Sequence, residues 1–382
     1  MPFLTLHAVQ TIPYANLNRD DLGAPKTLTF GGATRIRISS QSLGRPLREF
    51  VEESTGIEAV RTRRIATLVK DALITRGWDD ELAAAAAAQV LDSVAKKSKT
   101  DKVGLALDDK GTKSLLFVPA STGEKLADLC ETYRNEVEKA AQSSAKNPKP
   151  GVPAAEVIDI IKSINGSIAL FGRMLSELPG AGVDAARQMA HGFTTHAARR
   201  QPDFFTAVDD VTHDSDESGS GHMNHAEYAT GVFYRYAVLD LDELLNDTHL
   251  AGDTTTARAL VDAFTRGFIR ILPQAKKNGT APHTIPDLVH FTVRTDQPVN
   301  YAAAFERPVQ ADEGGGFAAP SRLALARYAS AVNRLVGTDD VAYSGHATIA
   351  DGENLTGLGD RADSFKELTA AAVDALFGPY NA

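Results

Sequence analysis

The chain has 382 residues, 43% of them hydrophobic and 23% charged, with a net charge of −9. This is an ordinary globular composition, long enough for one large or two modest domains, and it argues against adhesion of the whole surface to nucleic acid. One cysteine, Cys130, excludes an internal disulfide and a multi-cysteine zinc centre. With no signal-peptide pattern at the start and no run of about 18 apolar residues, the expected place is the cytoplasm, off the membrane.

In chain order, "FLTLHAV" alternates as a half-buried strand does. "TLTFGGATRIRIS" gives two strand pieces around a Gly-Gly, then a helix from about Ser42 or Arg45 with Pro46 in its first turn. From about 57 to 140 the periodicity is helical, interrupted by the short apolar "GTKSLLFVPA", and "SSAKNPKPGVP" is a surface loop. "AAEVIDIIKSINGSIALFGRML" passes from helix to a strand-like "SIALFGRM", and "DAARQMAHGFTTHAARR" reads as a helix or a helix–strand junction. The polar, acidic "DDVTHDSDESGSGHMNHAE" reads as a loop, and "YATGVFYRYAVLDLDELL" is the clearest strand. "TTTARALVDAFTRGFIRILP" is an amphipathic helix, "LVHFTVRTD" a strand and "SRLALARYASAVNRL" a helix. Together these predict an α+β core with a helical insertion between about 57 and 165.

The stretch "FGGATRIRISSQSLGRPLREF" holds Arg35, Arg37, Arg45 and Arg48 with no acid before Glu49. Alternation places Arg35 and Arg37 on one strand face, with Ile36 and Ile38 packed inward on the other. Planar guanidinium groups suit phosphate because they donate two parallel hydrogen bonds and stay charged. Ser39, Ser40, Gln41 and Ser42 follow at the bend, where hydroxyls and free N–H groups at a helix start form a second anion-binding element. Arg45 and Arg48, three apart, share a helix face. The competing reading is a solvated strand and basic helix face with ordinary capping serines.

Arg173 could hold a phosphate while Met174 supplies an apolar wedge, against the plainer alternative of a surface Arg beside a buried Met. The adjacent Phe204 and Phe205 stand beside a polar loop, where aromatics left exposed normally mark core or interface; the plainer alternative is a surface hairpin packed on its own domain. His213, Asp214, Asp216, Glu217, His222 and His225 are all metal-ligand types, but their spacing matches no defined site. His191 and His196, five apart, are expected to be satisfied core or junction histidines rather than a zinc pair. Core packing is expected for most of Phe233, Tyr234 and Tyr236.

Seven words carry a resemblance: "LNRDD" (17–21), "FGGATRIRISSQSL" (30–43), "ALFGRM" (169–174), "AHGFTTH" (190–196), "DFFTAVDD" (203–210), "GVFYRYA" (231–237) and "AFERPV" (304–309). In this order they resemble the Cascade backbone subunits (CasC family) of type I-E CRISPR systems. The resemblance implies an RRM-like (ferredoxin-like) palm with a helical fingers insertion and a β-hairpin thumb. The implied division is palm over 1–56, 166–200 and 227–382, fingers over 57–165 and thumb over 201–226. It implies a non-enzymatic, cofactor-free and metal-free subunit that polymerises along CRISPR RNA and presents it to target DNA. Its companions would be further copies of itself, the large and small subunits, the guide-processing endonuclease and the five-prime-end-capping subunit. RNA contacts carry over to the basic bend, to Lys26, to Arg173 and Met174, and to Arg307 beside the glycine run 314–316. Phe204, Phe205, Thr206 and Val208, with Met223 on the returning strand, would be the thumb wedge that kinks the guide. Two departures stand out: Gly44 occupies a position where relatives carry lysine, and Gln310, Asp312 and Glu313 replace lysines. The alternative within the same superfamily is a metal-dependent RNA endonuclease using Asp209 or Asp210. A plain interaction protein whose basic turn takes an acidic partner is the other.

Overall fold

A computed structural model of the chain describes residues 2–96, 103–145, 148–207 and 222–378. It opens with β1 (Phe3–Ala15), β2 (Thr27–Phe30), β3 (Ala33–Ile38) and α1 (Ser40–Thr55). There follow β4 (Ala59–Thr62), α2 (Ile65–Thr75), α3 (Asp80–Val94), β5 (Leu107–Asp108), β6 (Gly111–Thr112) and β7 (Leu116–Pro119). Then come α4 (Thr122–Thr132), α5 (Arg134–Ala141), α6 (Ala154–Lys162) and α7 (Gly166–Phe171). Next are β8 (Arg187–Met189), β9 (Gly192–Thr194), β10 (Gln201–Ala207), β11 (His222–Asp240) and α8 (Leu241–Leu245). The chain continues through α9 (Thr254–Arg270), α10 (Lys277–Thr280), β12 (Leu288–Arg294), α11 (Ala318–Val336), β13 (Val341–Thr348), β14 (Asp360–Arg361) and α12 (Phe365–Phe377). One unit comprises Met1–Val51, Arg187–Asp242 and Arg258–Ala382; the other comprises Glu52–Ala186 and Glu243–Ala257. The α+β class is the one expected from the sequence, with the breaks at 51/52 and 186/187 rather than 56/57 and 165/166.

The second unit is mainly helical. Val69 and Leu73, Val90, Leu126 and Cys130, and Val157 and Ile161 bring α2, α3, α4 and α6 around one apolar core. Cys130 is a core side chain, and burial pushes its thiol up to about 12, which leaves no nucleophilic thiolate at neutral pH. Two expectations fail here. Residues 59–62, assigned to a helix by periodicity, form β4 paired with β7. "SIALF", read as a strand, is the last five residues of α7, capped by Asn165 Oδ1 accepting from Ile168 N at 3.1 Å. All six residues of α7 are buried, so no polar face was there to mark a helical period.

The sheet of the first unit has the order β14-β13-β12-β1-β11-β9-β3-β2, with β8 and β10 also paired to β11. β1 is central, and α11 and α12 both pack against it. Leu4, Leu6 and Ala8 are buried, and so are Thr5 and His7 between them, so β1 is covered on both faces rather than half-buried. Over 184–200, read as a helix or a helix–strand junction, there are two strands and no helix: β8 and β9 are each three residues long and pair with β11. β11 serves two purposes in one run. Tyr228 to His222 pair with Gln201 to Ala207 of β10, while Gly231 to Asp240 pair with Ile12 to Phe3 of β1. Gly231 is required by close packing, since a Cβ there would lie 2.6 Å from Thr194 Cγ2.

Direct register sets His7 opposite His290 and His290 opposite His346, a row of three histidines on one sheet face. His7 stacks on Tyr301 at 4.3 Å, and His290 Nδ1 donates to Gly345 O at 2.9 Å. Burial lowers all three pKa values, that of His290 to about 4. The folded state therefore binds fewer protons than the unfolded chain between about pH 4 and 6.5. Their stabilising effect is complete above pH 6.5 and is lost as pH falls toward 4, by at most on the order of 3 kcal/mol for His290. Urea midpoints measured at pH 7.5, 6 and 5 should fall in that order, and His290→Gln should flatten the series.

Candidate nucleic-acid interface

The bend between β3 and α1 is built from local hydrogen bonds. Ser39 caps α1: its Oγ accepts from Ser42 N at 3.2 Å. Asn18 Oδ1 accepts from Ser39 N at 2.9 Å, and His191 Nδ1 accepts from Ser40 N at 2.8 Å. The helix thus starts at Ser40, not at Ser42 or Arg45, and Pro46 sits inside it rather than in its first turn. The N–H groups of Ser39, Ser40 and Ser42 have protein acceptors, so three of the free donors expected at this helix start are occupied. Ser42 Oγ donates to Leu17 O at 3.4 Å, and Gln41 stays exposed.

Lys26 and Arg37 meet beside this bend, with Arg37 N donating to Lys26 O at 2.8 Å. Both side chains are half-buried. The His191 ring, though solvent-exposed, is partly desolvated, and with Arg37 and then Lys26 this lowers its pKa. The ring is thereby kept neutral, as its acceptor role requires. Lys26, Arg37, Ser40, Gln41 and Ser42 form the accessible part of the predicted cluster at the bend, with Arg45 exposed further along α1.

Arg35 departs from the alternation argument. Ile36 and Ile38 are buried as expected, but Arg35 is buried too, at 0% exposure. Its Nη1 donates to Thr194 O at 2.9 Å and its Nη2 to Phe305 O at 2.9 Å and Glu306 O at 3.3 Å. The fork is filled by carbonyl groups and is not presented to solvent. On α1, Arg45 is exposed and paired with Glu49 at 3.0 Å, whereas Arg48 is buried. They do not share an exposed face, because Arg48 falls on the inward stripe with Leu43, Gly44, Leu47 and Val51.

Arg173 reverses the expected pair in the helical unit. Its Nε donates to Ala181 O at 2.7 Å, Nη2 to Lys162 O at 2.6 Å, and Nη1 to Ser163 O at 3.0 Å, Ile161 O at 3.1 Å and Phe117 O at 3.3 Å. The guanidinium is a buried bolt joining β7, the end of α6 and the loop at Ala181, and the neighbouring Met174 is 94% exposed. Neither the surface Arg nor the buried Met of the plainer alternative is found.

In the hairpin of β10 and β11, Phe204 and Phe205 are 55% and 42% exposed, and Thr206 is exposed. Met223 pairs with Thr206 in register; its side chain and the whole of Val208 lie outside the described residues. So do Asp209, Asp210, His213, Asp214, Asp216 and Glu217. Among the described residues no group of three metal-ligating side chains occurs, and no helix is long and apolar enough to cross a membrane. Arg307 is exposed. The glycine run is closed on itself, with Asp312 Oδ1 accepting from Gly316 N at 3.0 Å.

The model of the CT1975-like protein family, a Cas family, matches residues 4–371. The chain belongs to that family. Two solved structures are similar over nearly its whole length. One, described as "CRISPR RNA-guided surveillance complex, pre-nicking", has 43% identity and a TM-score of 0.90, covering 98% of this chain and 100% of that one. The other, described as "CRISPR RNA-guided surveillance complex", has 38% identity and a TM-score of 0.79, covering 98% and 99%. No curated protein matches.

As a member of the CT1975-like family, the chain shows several side chains that the motif reading passed over. His191 was set aside as a junction histidine, yet it caps α1 through the Ser40 N–H. His196 is the satisfied core histidine expected: Nε2 accepts from Val232 N at 3.1 Å, Nδ1 donates to Ala197 O at 2.9 Å, and the ring stacks on Phe317 at 3.8 Å. Gly44 leaves room for Arg187, whose Nη2 would lie 3.1 Å from a Cβ at that position. A cation thus approaches α1 from β8 where the helix itself carries no side chain. Arg19, Arg200, His225 and Lys276 line a cavity of about 490 Å³ at the hairpin base. Arg200 is held there by Asp20 at 2.9 Å and Glu227 at 3.6 Å.

Removing the Arg173 guanidinium strands several carbonyl groups, so Arg173→Met should lower stability by about 3 kcal/mol or more in urea denaturation. Met174→Ala, at an exposed site, should change it by less than about 0.5 kcal/mol.

Proposed function

We propose that this chain is the CRISPR RNA-binding backbone subunit of a type I-E Cascade surveillance complex, acting in the cytoplasm in antiviral defence. The reading is supported by family membership and by similarity to chains of RNA-guided surveillance complexes. The observation that carries it is the Lys26–Arg37 pair beside the capped bend, a concentrated positive site on a chain of net charge −9. Cations with no base-edge readout grip a ribose-phosphate chain whatever its sequence, and a subunit that must accept any guide needs that indifference. Sequence is then read by base pairing between guide and target DNA, as in other RNA-guided systems.

In this reading the subunit polymerises along the spacer and meets the large and small subunits, the guide-processing endonuclease and the five-prime-end-capping subunit. The exposed Phe204 and Phe205 of the hairpin reach the RNA of a neighbouring copy and wedge between bases. Unstacking a step costs a few kcal/mol and is offset by the extra surface wrapped. The subunit itself carries out no chemistry.

Affinity for single-stranded RNA should fall steeply with salt, with a slope of log affinity against log salt of about −0.7 per phosphate contact. Arg37→Ala should weaken binding equally for unrelated guide sequences, as measured by fluorescence anisotropy. A loss that depended on guide sequence would exclude a backbone clamp. Phe205→Ala should leave guide affinity near the wild-type value while altering the nuclease-protection spacing along the bound RNA. An unchanged protection pattern would remove the wedge role.

A further inference from the structure

We infer that Arg35 is a positioning residue that holds the 305–309 segment, and with it the exposed Arg307, for contact with RNA phosphate. This rests on the RNA-binding reading above and deepens it. Arg35 cannot itself reach a ligand, since its guanidinium is wholly buried and donates to the Thr194, Phe305 and Glu306 carbonyls. Two of those acceptors immediately precede Arg307.

Two further features converge on the same segment, and a third braces the strands beside it. Gly31, at φ +57° in the β2–β3 turn, lies so close that a Cβ there would be 1.6 Å from Glu306 O. Only glycine permits that approach, and it places the turn directly against the segment. Val309 N donates to Thr195 O at 3.0 Å, next to the Thr194 carbonyl that Arg35 also holds. Thr194 Oγ1 in turn accepts from Ile36 N at 3.3 Å, tying β9 back to β3 beside Arg35. Arg307 follows this clamp and is exposed, with no hydrogen bond or ion pair to any described residue. A cation on an irregular segment loses less conformational entropy on meeting a polyanion when the segment's backbone is already fixed, and here β3, β9 and the β2–β3 turn fix it.

The test uses the full-length chain, a labelled oligouridine RNA and the variants Arg35→Met, Arg35→Lys, Arg307→Ala and Arg35→Met/Arg307→Ala. The salt slope counts ions released by each complex formed, so a smaller folded fraction does not change it. Arg307→Ala should make the slope shallower by about 0.7, the value for one lost single-strand contact. Arg35→Met should do the same, Arg35→Lys should lie between it and wild type, and the double variant should lose nothing further. Hydrogen exchange at Val309 N should rise at least about ten-fold in Arg35→Met while the β1–β12 amides keep their protection. If Arg35→Met fails to fold, Arg35→Lys carries both measurements. A wild-type slope in the Arg35 variants, additive losses in the double variant or unchanged exchange at Val309 would overturn this inference alone. A wild-type chain with no RNA affinity at low salt would overturn the RNA reading and this inference with it.

Discussion

A guanidinium taken out of water keeps its charge at neutral pH and must find acceptors for as many as five N–H donors. Irregular segments pose the opposite need, since their carbonyl groups have no ladder or helix to bond to. The two needs meet at two buried arginines of this protein, Arg35 and Arg173. Arg35 collects the Thr194, Phe305 and Glu306 carbonyls and Arg173 collects five in the helical unit. Arg235, by contrast, donates only from Nη1, to Phe268 O in the last turn of α9 at 2.8 Å, with Nε and Nη2 buried without an acceptor among the described residues. Burial lowers the pKa of each, that of Arg235 to about 10, and leaves all three charged near pH 7. In each unit the loops are therefore fastened by cations, and the fastening decides which neighbouring side chains reach solvent.

That arrangement explains why the basic residues were only partly legible in the sequence. Arginine looks the same in a one-dimensional string whether it faces phosphate or a cage of carbonyls. "TRIRIS" alternates, and strand geometry alone sends Arg35 and Arg37 to one face. What alternation cannot show is that β9 and the 305–309 segment cover that face at Arg35 and leave it partly open at Arg37. The same limit applied to Arg173, whose cage is assembled from residues 117, 161–163 and 181. The exposed aromatics of "DFFT" were easier to read, because Phe204 and Phe205 lie on a two-stranded ribbon beside a polar stretch.

The fold was legible where an element is long and its pattern one-sided. β12 and α9 fall within the segments that periodicity assigns to them, and α11 exceeds its segment by three residues at the start and one at the end, whereas β11 begins at His222, six residues back in the stretch read as a loop. It was hidden where elements are short or buried all round. β8 and β9 are three residues each and exist because β11 offers them a ladder, a tertiary cause with no local signature. α7 is capped and closed within six residues, between Asn165 and Gly172 at φ +76°, with no exposed face to set a period. β1 misled in a milder way: Thr5 and His7 look like a polar face, but both are buried, and the histidine row uses imidazole as core material.

His191 shows how the capped bend and its charge depend on each other. An imidazole that accepts from Ser40 N must keep a lone pair on Nδ1, and protonation there would break the cap. Partial burial of the ring favours the neutral form, and the adjacent Arg37 and Lys26 favour it further by repelling a third positive charge. The cations that make the bend attractive to an anion are thus among the groups that preserve its local geometry. Replacing them would remove charge and also one of the influences that favour the neutral ring, the largest of which, its partial burial, would remain. Lys26→Met, like Arg37→Ala, removes one charge of the pair, together with the smaller of the two cationic influences on the ring.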